Sequence, residues 1–375
     1  LAGSAPRTRS LPSDAFIWQR RWSPAVGRAV RGNADLFATW HVLAAEIPSN
    51  DSPVLSQADW ALVVAGGHPA VPVLRIEGHV TAERAPRLRA AILAVLAGLP
   101  PELRRSVEID HDAATSQLAA YAGFLRTLRQ ALPAGAQLSA TALPTWLGSP
   151  DFAPFADSVD RLVLQLHSVD DPRLGLFRPA RALDWTRALA RRTRTPFLVA
   201  LPAYGARISD GAGGLRVTSE SALLDGEAGA EIAADPADVA DFLERLRQDP
   251  PDTLQGIAWF RLPVDGDRRA WAAATLRAVL AGGELARTTI ATRPGDAPGV
   301  REILVANAGE TDGALPRGIV LPTGCLAADG LGQYVIDGGR LVLRGAGGGL
   351  LPPHSASLAG WMRCADAGLH AEEGD

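Results

Sequence analysis

Between residues 14 and 282 one pattern recurs eight times: a short apolar run, a polar or Gly/Pro break, then an amphipathic stretch of helical period. The apolar runs are AFIWQRRW (15–22), LFATWHVLAAEI (36–47), VPVLRIEG (71–78), SVEIDHD (106–112), QLSATALP (137–144), RLVLQLHS (161–168), PFLVALPAYG (196–205) and GIAWFRLP (256–263). Most are too apolar to be half-exposed strands and read as strands buried on both faces, the signature of a parallel sheet. Helical stretches lie between them at 81–99, 116–132, 180–192, 236–248 and 268–281. In the first, Leu88, Ala91, Ile92 and Val95 share a stripe; in the second, Leu118, Tyr121, Leu125 and Leu128 do. Eight strands alternating with helices give an α/β fold, the (β/α)8 TIM-type barrel. The first two units fit least well, because Ser23–Asp35 is short for a helix. The Gly- and charge-rich insert 209–231 follows the seventh strand and belongs, in a barrel, to the rim of the mouth.

After about residue 285 the helical period stops. TTIATRP, REILVANAG, RGIVLPTGCLAADG, QYVIDGGRLVLRG and SLAGWMRC are short runs separated by Gly, Asp and Pro, the pattern of a small antiparallel β-sandwich-like domain. The expected organisation is an N-terminal segment that is processed or unstructured (1–13), the barrel (14–283), a β-rich domain (284–368) and a tail (369–375). The net charge of −4 gives no basic surplus for a nucleic-acid partner, and no run approaches the ~20 apolar residues of a membrane span. LAGS at Leu1–Ser4 is similar to the end of a bacterial export signal, with Ser4 where a lipoprotein carries its lipidated Cys; a vector-derived remnant reads the same way. The expectation is an exported protein, periplasmic or held by a lipid anchor. The two cysteines, Cys325 and Cys364, fit one disulfide or two separate thiols. There is no metal-ligand spacing and no cofactor fingerprint, so the expectation is neither metal nor cofactor.

A barrel of this kind carries its chemistry at the C-terminal ends of its strands. In SVEIDHD, the period of 2 puts Glu108, Asp110 and Asp112 on one side, with the last two ~6–7 Å apart by strand rise. The other strand ends add Glu46, Arg75, Glu77, Gln165, His167, Tyr204, Trp259 and Arg261, with Trp18 from the first strand and Trp146 after the fifth. Carboxyl groups beside flat aromatic rings suit a carbohydrate ligand: rings stack on the apolar faces of sugars, and two carboxyl groups handle the protons of glycosidic cleavage. A neighbouring negative charge keeps one of such a pair protonated. The acids also have a structural reading, as partners of Arg75 or Arg261. Glu108, deeper in the strand, reads as an internal partner of Arg75, and His111 as structural.

At this point the residues resemble a known group. VEIDHD on strand 4, LVALPAYGAR (198–207) on strand 7 and GIAWF (256–260) on strand 8 resemble the chitinase-like glycoside hydrolases of family 18, whose strand 4 reads D-x-x-D-x-D-x-E. The resemblance places Asp112 at the acid Glu, Asp110 at the Asp that assists the substrate's acetamido group, Tyr204 at the strand-7 Tyr and Trp259 at the Trp flooring the sugar site. Where that family often has a Tyr and Asp pair on strand 6, this chain has Gln165 and His167. More closely, WQRRW, IDHD followed by Thr, TALPTW and LPAYG, with the C-terminal β-region, resemble a bacterial barrel family of unknown function. Asp112 is one methylene shorter than Glu, which moves the acid by ~1.5 Å, and a 1 Å misplacement already costs about a hundredfold in rate.

The sequence therefore points to a glycoside hydrolase acting on an envelope or extracellular polysaccharide, with Asp112 as proton donor, Asp110 as its partner, and Tyr204, Gln165, His167 and the three Trp residues contacting sugar. The alternative is a non-catalytic carbohydrate-binding or assembly protein on a degenerate barrel. A third reading is a metal-dependent hydrolase using Asp110, Asp112 and His167.

Overall fold

A computed structural model describes residues 11–168, 171, 174–211, 214–218, 230–344, 349–364 and 370–372. Of the expected terminal segments, residues 1–10, 369 and 373–375 lie outside this range, and His370–Glu372 form a short strand. The chain makes two compact units. One comprises residues up to 169, 179–202 and 242–265; the other comprises 170–178, 203–241 and 266 onwards.

The first unit holds a closed parallel barrel of eight strands: β1 (Ser13–Ile17), β2 (Thr39–Ile47), β3 (Ala70–Ile76), β4 (Ser106–Asp110), β5 (Gln137–Ala142), β6 (Arg161–Gln165), β7 (Phe197–Pro202) and β8 (Leu254–Phe260). Each pairs in parallel with the next, and β8 returns to β1 to close the ring. Helices α1 (Pro24–Gly32), α2 (Trp60–Ala65), α3 (Ala85–Gly98), α4 (Leu118–Ala131), α5 (Phe152–Ala156), α6 (Pro179–Arg192) and α7 (Pro236–Gln248) alternate with them. The segment that looked short for a helix forms α1: a proline stands in its first turn, where no N–H bond is lost, and Val26 and Val30 are buried one turn apart. On α4 the expected stripe Leu118, Tyr121, Leu125 and Leu128 is the buried face.

Alternation divides each strand into two buried faces. Phe16, Val73, Val163, Leu198, Ala200 and Ala258 converge on a single cluster, joined by Trp18 and Phe260; this is the inside of the barrel. The residues between them, such as Ile17, Leu74, Ile109, Leu164 and Val199, are equally buried on the outer face. That double burial explains the near-continuous apolar runs. One irregularity matters for the site. A bulge in β2 between Leu43 and Ala45 resets the alternation, so that Glu46 comes level with Arg75 of β3.

In the second unit, the insert after β7 contributes an antiparallel sheet of strands 205–211, 214–218 and 230–233; the rest of the insert lies outside the described residues. Helix α8 (Ala273–Ala281) also belongs to this unit. The C-terminal region is antiparallel, with two four-stranded sheets sharing one core. Ile303, Val305, Ala359 and Met362 come from one sheet, and Ile319, Tyr334 and Leu341 from the other. Cys325 and Cys364 face each other on adjacent strands and form a disulfide across 39 residues. Closing a loop of that length stabilises the region by about 4 kcal/mol in the chain-entropy account. Dithiothreitol, or the Cys325→Ser/Cys364→Ser variant, is therefore expected to lower the urea midpoint of the β-region. An unchanged midpoint would contradict a structural role for this bond.

Candidate active site

Among its apolar residues the inside of the barrel also carries polar groups, in two layers. In the lower one, His41 of β2 stands beside Phe16 of β1, and Glu108 of β4 lies between Val73 of β3 and Ser139 of β5. His41 contacts the Glu108 carboxylate through Nδ1 at 2.9 Å and Asp14 through Nε2 at 3.3 Å; Ser139 donates to Glu108 at 3.2 Å. Burial alone pulls an imidazole pKa down, but the charges of Glu108 and Asp14 outweigh it and lift His41 to about 9. His41 is therefore a cation at neutral pH. The partner of Glu108 is thus His41, and not Arg75 as the sequence suggested: Arg75 stands one layer higher, level with Asp110.

The upper layer faces the C-terminal mouth. Arg75 donates through one terminal nitrogen to Asp110 at 2.5 Å and through the other to Asp112 at 3.0 Å. The two carboxylates differ in access: the Asp110 side chain is 8 % exposed, and that of Asp112 is 44 % exposed. Burial raises the Asp110 pKa, the Arg75 cation lowers it, and the Asp112 charge raises it again; a hydrogen bond from Thr141 also favours the anion. The balance leaves Asp110 at about 6, above the ordinary range of an aspartate near 3.9. Buried Asp110 thus holds its proton into mildly acidic solution, while Asp112 meets the solvent. Beside them, Glu46 takes a two-pronged ion pair from Arg20, with both contacts at 2.6 Å.

The opposite wall is aromatic. Half-buried Trp18 meets Phe260 edge-on at 5.1 Å, and His167 stacks on Phe260 at 5.1 Å. Burial pushes His167 down to about 3, so its ring is neutral. Gln165 donates to the His167 carbonyl at 3.0 Å.

Several expected site residues stand elsewhere. Trp259 alternates with Ala258 and Phe260, which line the barrel interior, so it points outward; it is fully buried, and its N–H reaches Ser13 at 3.3 Å. Trp146 is also fully buried, packed on Tyr121 and Phe155, with its N–H on the Ala113 carbonyl at 2.9 Å. Neither ring presents a face to a sugar. Strand parity, applied to GIAWF, selects Phe260 in place of Trp259. Glu77 lies past the end of β3 and is exposed, and Arg261 is buried beyond the end of β8. Of Tyr204, the structure shows a buried side chain just after β7. His111 packs against Tyr121 with Nδ1 on the Ile76 carbonyl, a structural position. For the metal reading, the Arg75 guanidinium occupies the place between Asp110 and Asp112 that a bridging cation would need, and His167 is stacked on Phe260.

A closed parallel barrel with carboxyl groups at its C-terminal mouth defines a protein of the (β/α)8-barrel class. Residues 66–265 match the family described as a domain of unknown function (DUF3142), and the chain belongs to that family. Residues 290–365 match a second domain of unknown function (DUF8456). Among solved structures, the chain is similar to the spore cortex-lytic enzyme SleL of Bacillus cereus, with TM-score 0.51 and 15% identity over 68% of this chain and 72% of that one. It is also similar to a chitinase from Chromobacterium violaceum, with TM-score 0.52 and 14% identity over 72% of this chain and 98% of that one. At these identities the likeness is one of fold. No curated protein sequence matches this chain.

Proposed function

We propose that the protein is a glycoside hydrolase acting on an envelope or extracellular polysaccharide, with the Asp110–Asp112 pair as its proton-handling group. The observation that carries this reading is the pairing of a buried aspartate at about 6 with a solvent-reaching aspartate under one arginine at the barrel mouth. A carboxyl group whose burial raises its pKa, set beside a second carboxyl group, is what acid–base cleavage of a glycosidic bond requires. Asp112, the accessible member, delivers the proton to the leaving oxygen. Asp110, buried and close to it, keeps the pair singly protonated below about pH 6, the state that cleavage uses. Arg75 offsets the negative charge that remains. Trp18 and Phe260 supply the apolar wall for a sugar ring. The chitinase and the cortex-lytic enzyme of similar fold support a substrate rich in N-acetylated sugars. The disulfide supports an exported location, since such bonds persist in oxidising compartments.

A second reading, a glycan-binding protein without turnover, draws on one observation: the same guanidinium engages both aspartates, which satisfies them without a substrate. The test is release of reducing ends from chitin oligomers, peptidoglycan glycans and bacterial exopolysaccharides by the parent beside Asp112→Ala. Release by the parent alone supports the hydrolase. Binding by calorimetry without release from any of them favours the second reading.

A further inference from the structure

The outer face of one C-terminal sheet carries a cavity of about 400 Å3, within the ~300–1,000 Å3 range of small-molecule sites. It lies wholly within the second unit. On the long strand Ser355–Cys364, Met362 turns into the core, so Trp361 and Arg363 turn outward and line the cavity. Glu302 is the direct cross-strand neighbour of Trp361 and is fixed by an ion pair with Arg293 at 2.5 Å. Val300 and Leu331 add apolar walls. The 295–300 turn closes one side through the Gly295 N–H on the Val300 carbonyl at 2.9 Å.

We infer that this cavity is a second saccharide site, holding a pyranose unit of a glycan chain against the Trp361 ring. The inference rests in part on the hydrolase-like barrel of the same chain, which commits the occupant to a glycan. The chemistry is specific in three ways. Trp361 is partly exposed on a strand face, where a large flat ring has no core to fill. Among the described residues, its indole N–H and the Arg363 guanidinium have no hydrogen-bond or ion-pair partner, so two donors stand ready for sugar hydroxyls. Glu302, oriented and neutralised by Arg293, supplies an acceptor without a net charge that would select an ionic ligand. A flat ring flanked by donors and an acceptor matches the alternation of C–H faces and hydroxyl edges around a pyranose.

The test is calorimetry of the full chain with N-acetylglucosamine hexamer and with cellohexaose, on the parent, Trp361→Ala, Arg363→Ala and Asp112→Ala. The expected result is binding of at least one probe that Trp361→Ala weakens about tenfold or more and Arg363→Ala by less, and that persists in Asp112→Ala. Tenfold corresponds to about 1.4 kcal/mol, the scale of a well-placed aromatic contact. Circular dichroism at the parent's unfolding midpoint confirms that both surface variants fold. Binding that Trp361→Ala and Arg363→Ala both leave intact overturns the second site while leaving the barrel as the place where the glycan binds. No binding of either probe by the parent or by Asp112→Ala also overturns it.

Discussion

His41→Leu is expected to lower the unfolding free energy of the barrel by on the order of 3–5 kcal/mol, the cost of removing one partner from a buried ion pair. Glu108 has no exposed side-chain surface, and among the described residues only Ser139 would remain to hydrogen-bond it without the imidazole. The pH dependence gives this prediction a signature that lost packing cannot imitate. The folded pKa of His41, about 9, lies above the ordinary value of 6.5. Its stabilisation is therefore fully present below pH 6.5 and is lost as pH rises through 9, an amount on the order of 3 kcal/mol. Urea unfolding followed by far-ultraviolet circular dichroism at pH 6 and pH 9.5 should show this fall in the parent and not in the variant. Adding Glu108→Gln to His41→Leu should recover part of the loss, because the orphaned charge goes with it. An equal decline with pH in parent and variant would remove His41 from the account.

Asp112→Ala is expected to reduce glycan release about 10²–10⁴-fold, the usual contribution of a positioned acid or base. The barrel itself should survive the change. Asp112 lies beyond the end of β4, its side chain is nearly half exposed, and exposed ion pairs contribute little to stability. The loss should therefore fall on kcat, while the oligosaccharide still binds and the unfolding midpoint stays within a degree or two. A variant that cleaves as fast as the parent would transfer the acid's role to another carboxyl, with Glu46, level with Arg75 on the adjacent strand, the next to test.

Much of this fold is legible in the sequence, because double burial of parallel strands leaves a strong trace. SVEIDHD shows both the strand and the face its acids share. The rest is hidden by interactions that no local period records. Glu46 reaches the interior through a bulge in β2, which simple alternation misses. Trp146 looks like a sugar platform until Tyr121 and Phe155 surround it, a contact between residues 25 positions apart in one case and 9 in the other. Trp259 is different: Ala258 and Phe260 bracket it, and parity alone points it away from the interior. Here a motif match outweighed a simpler geometric rule. The Arg75 clamp was visible only as a possibility, since a sequence places an arginine at a strand end without saying which of several acids it holds.

The most direct measurement is the pH dependence of kcat/KM for cleavage of N-acetylglucosamine oligomers, in the parent and in Asp110→Asn. With Asp110 at about 6, activity in the parent should fall tenfold per pH unit above that value as the pair loses its single proton. In Asp110→Asn this limb should vanish or move, with a lower rate throughout. An alkaline limb identical in both proteins, or no cleavage at any pH between 4 and 9, would contradict an Asp110–Asp112 acid pair at the mouth of this barrel.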